Sequence, residues 1–232
     1  MTLVPDELPI QRIAHESMSQ RVYRDLRELI MSGRVQPGQR LTLKSLSDAV
    51  GTSQMPVREA LRQLAAEGAL EFLPNKSVRV PVMTQAKFLE ILEIRQQVEG
   101  LAVEKATERI QPEELSALRR YHEQFFQEVQ SRQPDAAIAI EANMRFHFTA
   151  YKAAQMPTLL SIIEGLWLQI GPVLNLDMRS GSARLTEGPA RHHHERMLEA
   201  MVAKDPQSAR AALMEDLTTA AHFILSLGKL DP

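Results

Sequence analysis

Cysteine is absent from the 232 residues, and with it go disulfide frameworks, thiolate zinc fingers, iron–sulfur clusters and any cysteine nucleophile. Aromatic residues make up only 5% of the chain, with a single Trp, so any core must be built mainly from aliphatic side chains. Long apolar runs are missing too. The most apolar stretch, Leu159 to Leu176, is interrupted by Glu164, Gln169 and Asn175, and Met1 to Ser17 carries Asp6 and Glu7 where a secretory signal would have an apolar centre. These absences point to a soluble, cytoplasmic protein with no membrane partner. Several enzyme signatures are also missing: HExxH, the phosphate-binding GxxxxGK loop and GxSxG. None of the seven histidines has Glu three residues before it, which excludes the paired motif of bundle diiron enzymes.

What is present is unevenly distributed. At roughly 150 residues per domain the length fits one large or two modest domains. The formal net charge of -2 conceals an asymmetry: Gln11 to Val80 holds 11 Lys+Arg against 7 Asp+Glu (+4), whereas the residues after Val80 hold 16 against 20 (-4). A mildly basic front and an acidic back suit a nucleic-acid reader joined to a control module, although ordinary two-domain proteins share the pattern.

In the front part, Ser19 is a suitable N-cap for a helix to about Met31, with Val22, Leu26, Leu29 and Ile30 at helical spacing and Ser32-Gly33 as the stop. Pro37-Gly38 forces a turn. Thr42 caps a short second helix bearing Leu43, Leu46, Ala49 and Val50 and ending at Gly51; Ser53 caps a third, to Glu67, with Val57, Ala60, Leu61 and Leu64 in one stripe. Two β-type runs, Leu70–Leu73 and Val78–Val82, flank Pro74-Asn75-Lys76-Ser77, a hairpin signal. Three short helices and a hairpin spell a winged helix-turn-helix.

The quoted residues carry a family resemblance. Ile30-Met31-Ser32-Gly33, Pro37-Gly38-Gln39-Arg40-Leu41 and Met55-Pro56-Val57-Arg58-Glu59-Ala60-Leu61-Arg62-Gln63-Leu64-Ala65-Ala66-Glu67-Gly68, followed by Pro74-Asn75, resemble the GntR family of bacterial transcription regulators. The resemblance implies an operator-binding protein. Arg58 stands where that family places a base-reading arginine, whose fork suits guanine O6 and N7. Ser53 and the free N–H groups beside it suit a phosphate. Gln54 replaces an arginine common among relatives and shifts readout toward adenine. Lys44 and Arg62 are candidate phosphate contacts, and the wing offers Lys76 and Ser77, the latter where a glycine is usual. For each arginine the alternative is a solvated helix face.

From Met83 onward the periodicity is helical. Helices are expected from Thr84 to about Ile110, Pro112 to Gln130, Asp135 to Ala154, Thr158 to Ile170 with an interruption at Gly171-Pro172, Pro189 to Ala203 and Pro206 to Leu227. The polar segment Arg179 to Gly188 is the candidate mobile loop. The expected architecture is therefore mainly α: an N-terminal arm (1–18), a winged helix-turn-helix (19–82) of three helices and a β-hairpin, and an all-α antiparallel bundle (83–232).

Arg95 with Glu99, Asn143 with Phe146-His147, and His194 followed by Met197-Leu198-Glu199-Ala200 and Asp205 resemble, in order and spacing, the FCD effector domain of the FadR subfamily. Met156-Pro157 through Leu166-Trp167 to Gly171-Pro172 is more loosely similar to a branch that includes regulators of colanic acid and biofilm genes. In the subfamily an Asp and a His four residues apart, on one helix face, join two later histidines around a divalent ion. Here Asn143 replaces the Asp, His147 and His194 match, and Asp216 takes the last histidine position. Two readings stay open: one divalent ion such as Zn²⁺ on Asn143, His147, His194 and Asp216, or a metal-free bundle in which the histidines line an organic-ligand pocket or satisfy core hydrogen bonds. His192 and His193 are expected to face solvent.

Arg95 is the expected cation for an organic-acid effector, with Tyr151 and Trp167 completing the cavity; its alternative is an ion pair with Glu99 at i+4. A homodimer is expected because one winged helix touches too few bases for useful specificity. The contrasting possibility is a metal-dependent bundle enzyme or metal-binding module whose winged helix makes protein contacts.

Overall fold

The computed structural model describes residues 17–74, 77–131, 135–179 and 189–232. Helix α1 (Met18–Met31) begins two residues earlier than a Ser19 cap would give: Ser17 is the N-cap, its side chain accepting from the Gln20 N–H while the Gln20 side chain accepts from the Ser17 N–H. The Ser-x-x-Gln spacing is a capping box that satisfies two backbone donors reciprocally. β1 (Arg40–Thr42) leads directly into α2 (Leu43–Val50), which Thr42 caps with Ser45 in a second capping box. Gly51 closes α2 at φ 73°, a left-handed conformation that favours glycine, and so permits the tight turn into α3 (Gln54–Ala66).

The wing is shorter than the sequence suggests and has an extra strand. β2 (Glu71–Phe72) and β3 (Ser77–Arg79) form the hairpin, and β1 pairs with the other edge of β3, in the order β1-β3-β2. Leu41 opposes Val78 and Thr42 opposes Ser77. The first domain's core is the stripe Val22, Leu26 and Ile30 of α1 against Val57, Ala60, Leu61 and Leu64 of α3, closed below by Val78 and Val80.

Six helices among the described residues build the second domain: α4 (Gln85–Arg109), α5 (Pro112–Val129), α6 (Ala136–Ala153), α7 (Pro157–Arg179), α8 (Pro189–Val202) and α9 (Pro206–Ser226). Their starts follow the expected caps at Thr84 and Asp135, and Asp205 caps α9 as well; each accepts a hydrogen bond from a backbone N–H in the first turn. The end of the chain ties down the linker, since Gln85 N–H donates to Asp231 O and Asp231 N–H to Met83 O.

Helix α7 departs from expectation. It runs through Gly171 and Pro172 without ending there. The reason lies in packing: a Cβ at residue 171 would stand 2.8 Å from Met31 O and 2.9 Å from Ile30 O, so Gly171 lets α7 lie directly on the end of α1. Pro172 falls just beyond this contact, where tertiary burial outweighs the lost helix hydrogen bond. The stretch Pro157–Leu174 is apolar enough to cross a membrane by composition, with mean hydropathy 1.3, but 44% of it is buried within the fold; α7 is a core helix. Of the expected loop 179–188, Arg179 ends α7 and residues 180–188 lie outside the described residues; of the expected arm 1–18, Ser17 caps α1 and Met18 begins it, and residues 1–16 lie outside the described residues.

Candidate functional site

Two chemically distinct regions emerge. On α3, burial of Val57, Ala60, Leu61 and Leu64 fixes the helix rotation, and the opposite face presents Ser53, Gln54, Arg58 and Arg62 to solvent, with Lys44 exposed on α2. Ser53 has cap geometry but makes no side-chain cap bond; its hydroxyl is thus uncommitted to the helix. A cleft of about 390 Å³ runs between α3 and the wing, lined by Leu43, Arg58, Arg62, Phe72 and Pro74. Lys76 lies outside the described residues. Ser77 requires correction as a surface contact: it is buried in β3 opposite Thr42, because the β1 pairing covers the side of the hairpin expected to be open. Two residues the sequence reading passed over stand on this face, Met55 and Phe72, 62% and 50% exposed. Their outward phase among polar neighbours was the available signal, and apolar groups there suit thymine methyls or sugars.

The second region is buried in the bundle. Arg95 and Glu99, 2% and 0% exposed, pair through Nε–Oε1 at 2.5 Å and Nη2–Oε2 at 3.2 Å. Glu99 is the hub: the Tyr151 hydroxyl donates to Oε2 at 2.5 Å and the Trp167 indole N–H to Oε1 at 2.9 Å. The Arg95 guanidinium also stands 5.0 Å from the Trp167 ring centroid. Burial pulls the Arg95 pKa down, but the Glu99 charge and hydrogen bonds more than offset it, so the group lies above its ordinary value. Burial and the Glu99 charge together hold the Tyr151 phenol well above its usual range. Three donor groups, from α4, α6 and α7, thereby share one carboxylate.

Next to this network, one ligand atom each from His147, His194 and Asp216 falls within 4.8 Å of the others. His147 Nε2 is 3.5 Å and His194 Nε2 3.8 Å from Asp216 Oδ2. The Tyr151 oxygen also stands 3.4 Å from His147 Nδ1, and the other ring nitrogen, Nε2, faces Asp216. Asn143 lines the adjoining cavity with Arg95, His147, Trp167, Asp216 and, from the winged helix, Met31. That cavity is small, about 40 Å³. Tyr151 does not line it. His193 corrects a second expectation: it is buried, 3.4 Å from Glu215, whereas His192 is exposed. His193, Met197 and Ala200 share the spacing of a buried arc, so both His193 and His194 lie inside it.

Comparison with known proteins resolves the class. Residues 18–80 match the family of "Bacterial regulatory proteins, gntR family", and residues 90–219 match the FCD domain. The chain belongs to the GntR family, in its FCD-bearing branch. It is 34% identical over 205 residues to the HTH-type transcriptional regulator McbR of Escherichia coli K12, covering 88% of this chain and 91% of McbR. It is 25% identical over 214 residues to the HTH-type transcriptional repressor GlaR of the same organism, covering 87% and 93%. The solved structure of E. coli McbR/YncC superimposes with a TM-score of 0.85 at 29% identity, over 92% of this chain and all of that one. These GntR relatives are transcription regulators, which implies a regulator here and not an enzyme; a bundle enzyme with a protein-binding winged helix is not favoured.

Proposed function

We propose that this GntR-family protein works in the cytoplasm as a homodimer that binds an operator through α3 and is controlled by an organic-acid effector in the bundle. The observation that carries the DNA half is the display of Gln54, Arg58 and Arg62 along one exposed face of a helix whose other face is locked into the core. Arg58 reads guanine; Lys44, Arg62 and the N–H groups at the start of α3 hold phosphates. A twofold partner doubles the readout at a fixed spacing, and Leu89 and Ile94, exposed on α4, are apolar surface available for pairing.

For the bundle half, the cavity beside Arg95 supports the reading because Met31, the last residue of α1, forms part of its wall. A ligand there touches the winged helix directly. At about 40 Å³ the cavity is too small to hold an organic acid, so such an acid must part the helices around it, and that movement reaches α1. Arg95 supplies positive charge at the wall while Glu99 keeps its fork in place.

The donor set fits a divalent cation: two imidazoles and one carboxylate, all buried, with the Asn143 amide lining the cavity beside them. His147, His194 and Asp216 would hold the ion, which when bound would supply a second positive charge for an effector carboxylate.

The test is a gel shift with duplex from the protein's own upstream region. Retardation at moderate salt that random DNA competes poorly supports the reading; binding with strong salt dependence but no sequence preference overturns it. Sedimentation at micromolar concentration should find a dimer, and a monomer would overturn that part. Elemental analysis with a thermal-shift screen of small organic acids, with and without chelator, tests the bundle half. A melting temperature unmoved by chelator and no stoichiometric metal would remove the ion.

A further inference from the structure

A second cavity lies in the seam between the two domains, on the other side of Met31 and Met144, which line both it and the bundle cavity. It measures about 340 Å³, within the range of small-molecule sites. From the winged-helix side α1 contributes Arg24 and Arg27, and from the bundle side α6 contributes Arg145 and Lys152, while Met31 and Phe148 supply an apolar floor. Two acids share the lining, Glu28 and Glu164, which leaves four cations against two carboxylates. Glu164 is already engaged, its Oε2 3.2 Å from Arg27 Nη2 across the seam. Arg145 is paired with Glu141 at 2.5 Å, but Arg34 also approaches Glu141, at 3.6 Å, so the neighbourhood stays positive.

Two further observations indicate a site made for an anion. The Arg27 Nε is buried and has no hydrogen-bond partner in the structure, although such a donor ordinarily finds an acceptor. Tyr121, in the cavity wall, has the guanidinium groups of Arg120 and Arg145 5.1 and 5.8 Å from its ring centroid. Hydrogen bonds from Arg145 and then Arg120 hold its phenol below its usual value, in keeping with cationic surroundings along that wall.

We propose that this seam is a binding site for a small organic anion, with an apolar or aromatic body on Met31 and Phe148 and a carboxylate or phosphate between the α1 and α6 cations. The shared requirement is negative charge attached to a compact apolar group. Because the cations come from both domains, the ligand bridges them and favours the arrangement in which α1 and α6 stand this close. It is therefore distinct from an acid in the bundle core, which reaches α1 only through the wall at Met31.

Calorimetric titration of the full chain at low salt, with benzoate, phenyl phosphate and inorganic phosphate as probes, tests this. At least one of the aromatic anions should bind, and whichever binds better identifies the headgroup. Inorganic phosphate should bind about tenfold or more weakly than phenyl phosphate, or not at all, for want of an apolar body. Arg24→Ala and Lys152→Ala, both at exposed positions that leave the fold intact, should each weaken the aromatic anion about tenfold, the ordinary consequence of losing one charged contact. No heat from either aromatic anion overturns the proposal, as does binding unchanged in both variants. Weakening by one variant alone overturns the bridge between domains, and equal affinity for inorganic and phenyl phosphate overturns the apolar half of the site.

Discussion

The winged helix and the bundle use the same residue types in opposite ways. In the first, Arg58, Arg62 and Lys44 stand exposed on a surface that the hydrophobic stripe beneath only orients. In the second, Arg95 is buried and held by Glu99, and its neighbours Glu99, Tyr151 and Trp167 are buried with it. An exposed arginine contributes little to stability and is available to a partner; a buried one costs the fold heavily if its counterion is lost. Substitutions should therefore separate cleanly, with DNA affinity read in one region and stability in the other.

The largest expected effect is at the hub. Glu99→Ala leaves Arg95 buried without its counterion and removes the acceptor of the Tyr151 and Trp167 donors, so unfolding by denaturant should show a loss of about 3–5 kcal/mol. Glu99→Gln, which keeps the acceptor, should lose less. A change below about 1 kcal/mol for the alanine variant would mean that the network is relayed to water and is not sealed.

The seam between the regions comes next. Gly171→Ala places a methyl within 3 Å of backbone at Ile30 and Met31, and backbone cannot yield as a side-chain end would. A loss of about 1–3 kcal/mol follows from such overpacking. A variant as stable as the native chain would show that α7 and α1 stand farther apart in solution.

On the DNA face, Arg58→Ala should cost about 1–3 kcal/mol of operator binding and relax preference at one base pair, with the melting temperature unchanged. Lys44→Ala should weaken all sequences alike and lower the salt slope by about one. Uniform loss in both variants would erase the distinction between reader and anchor.

The smallest effect concerns Tyr23, at the base of the winged helix. Its hydroxyl donates to both Glu67 oxygens, at 2.8 and 2.9 Å, and burial with that hydrogen bond raises the phenol from 10.0 to about 12. A raised folded value favours the protonated phenol, so its stabilising contribution is fully present below pH 10 and lost as pH rises through about 12. Ultraviolet titration should show one tyrosine ionising near pH 12, a transition that Tyr23→Phe removes.

What could be read in the sequence follows the same division. The winged helix is built from local signals: a capping residue at Thr42, a glycine stop at Gly51 and one apolar stripe on α3. Each acts within a turn or two and is found in the structure, while Ser53 takes the N-cap position of α3 without a side-chain cap bond. β1 escaped because three residues, Arg40 to Thr42, carry too little alternation to mark a strand, and its partner β3 is distant in sequence; the burial of Ser77 escaped with it. The continuation of α7 through Pro172 depends on the end of α1, and no local pattern reports such a contact. In the bundle, the i, i+4 spacing of Arg95 and Glu99 was legible, but the role of Glu99 as acceptor for Tyr151 and Trp167 was not, since it joins three helices. His147, His194 and Asp216 were nominated by family resemblance, and their convergence is a property of the packing of α6, α8 and α9.

The central claim is that the buried region governs the exposed one. It is tested most directly by fluorescence anisotropy of labelled operator, titrated with the full chain in the presence and absence of an organic acid already found to raise its melting temperature. The account predicts that saturating acid changes the operator dissociation constant by about fivefold or more, the lower end of ordinary coupling between sites. An acid that stabilises the bundle and leaves operator affinity unchanged would contradict it.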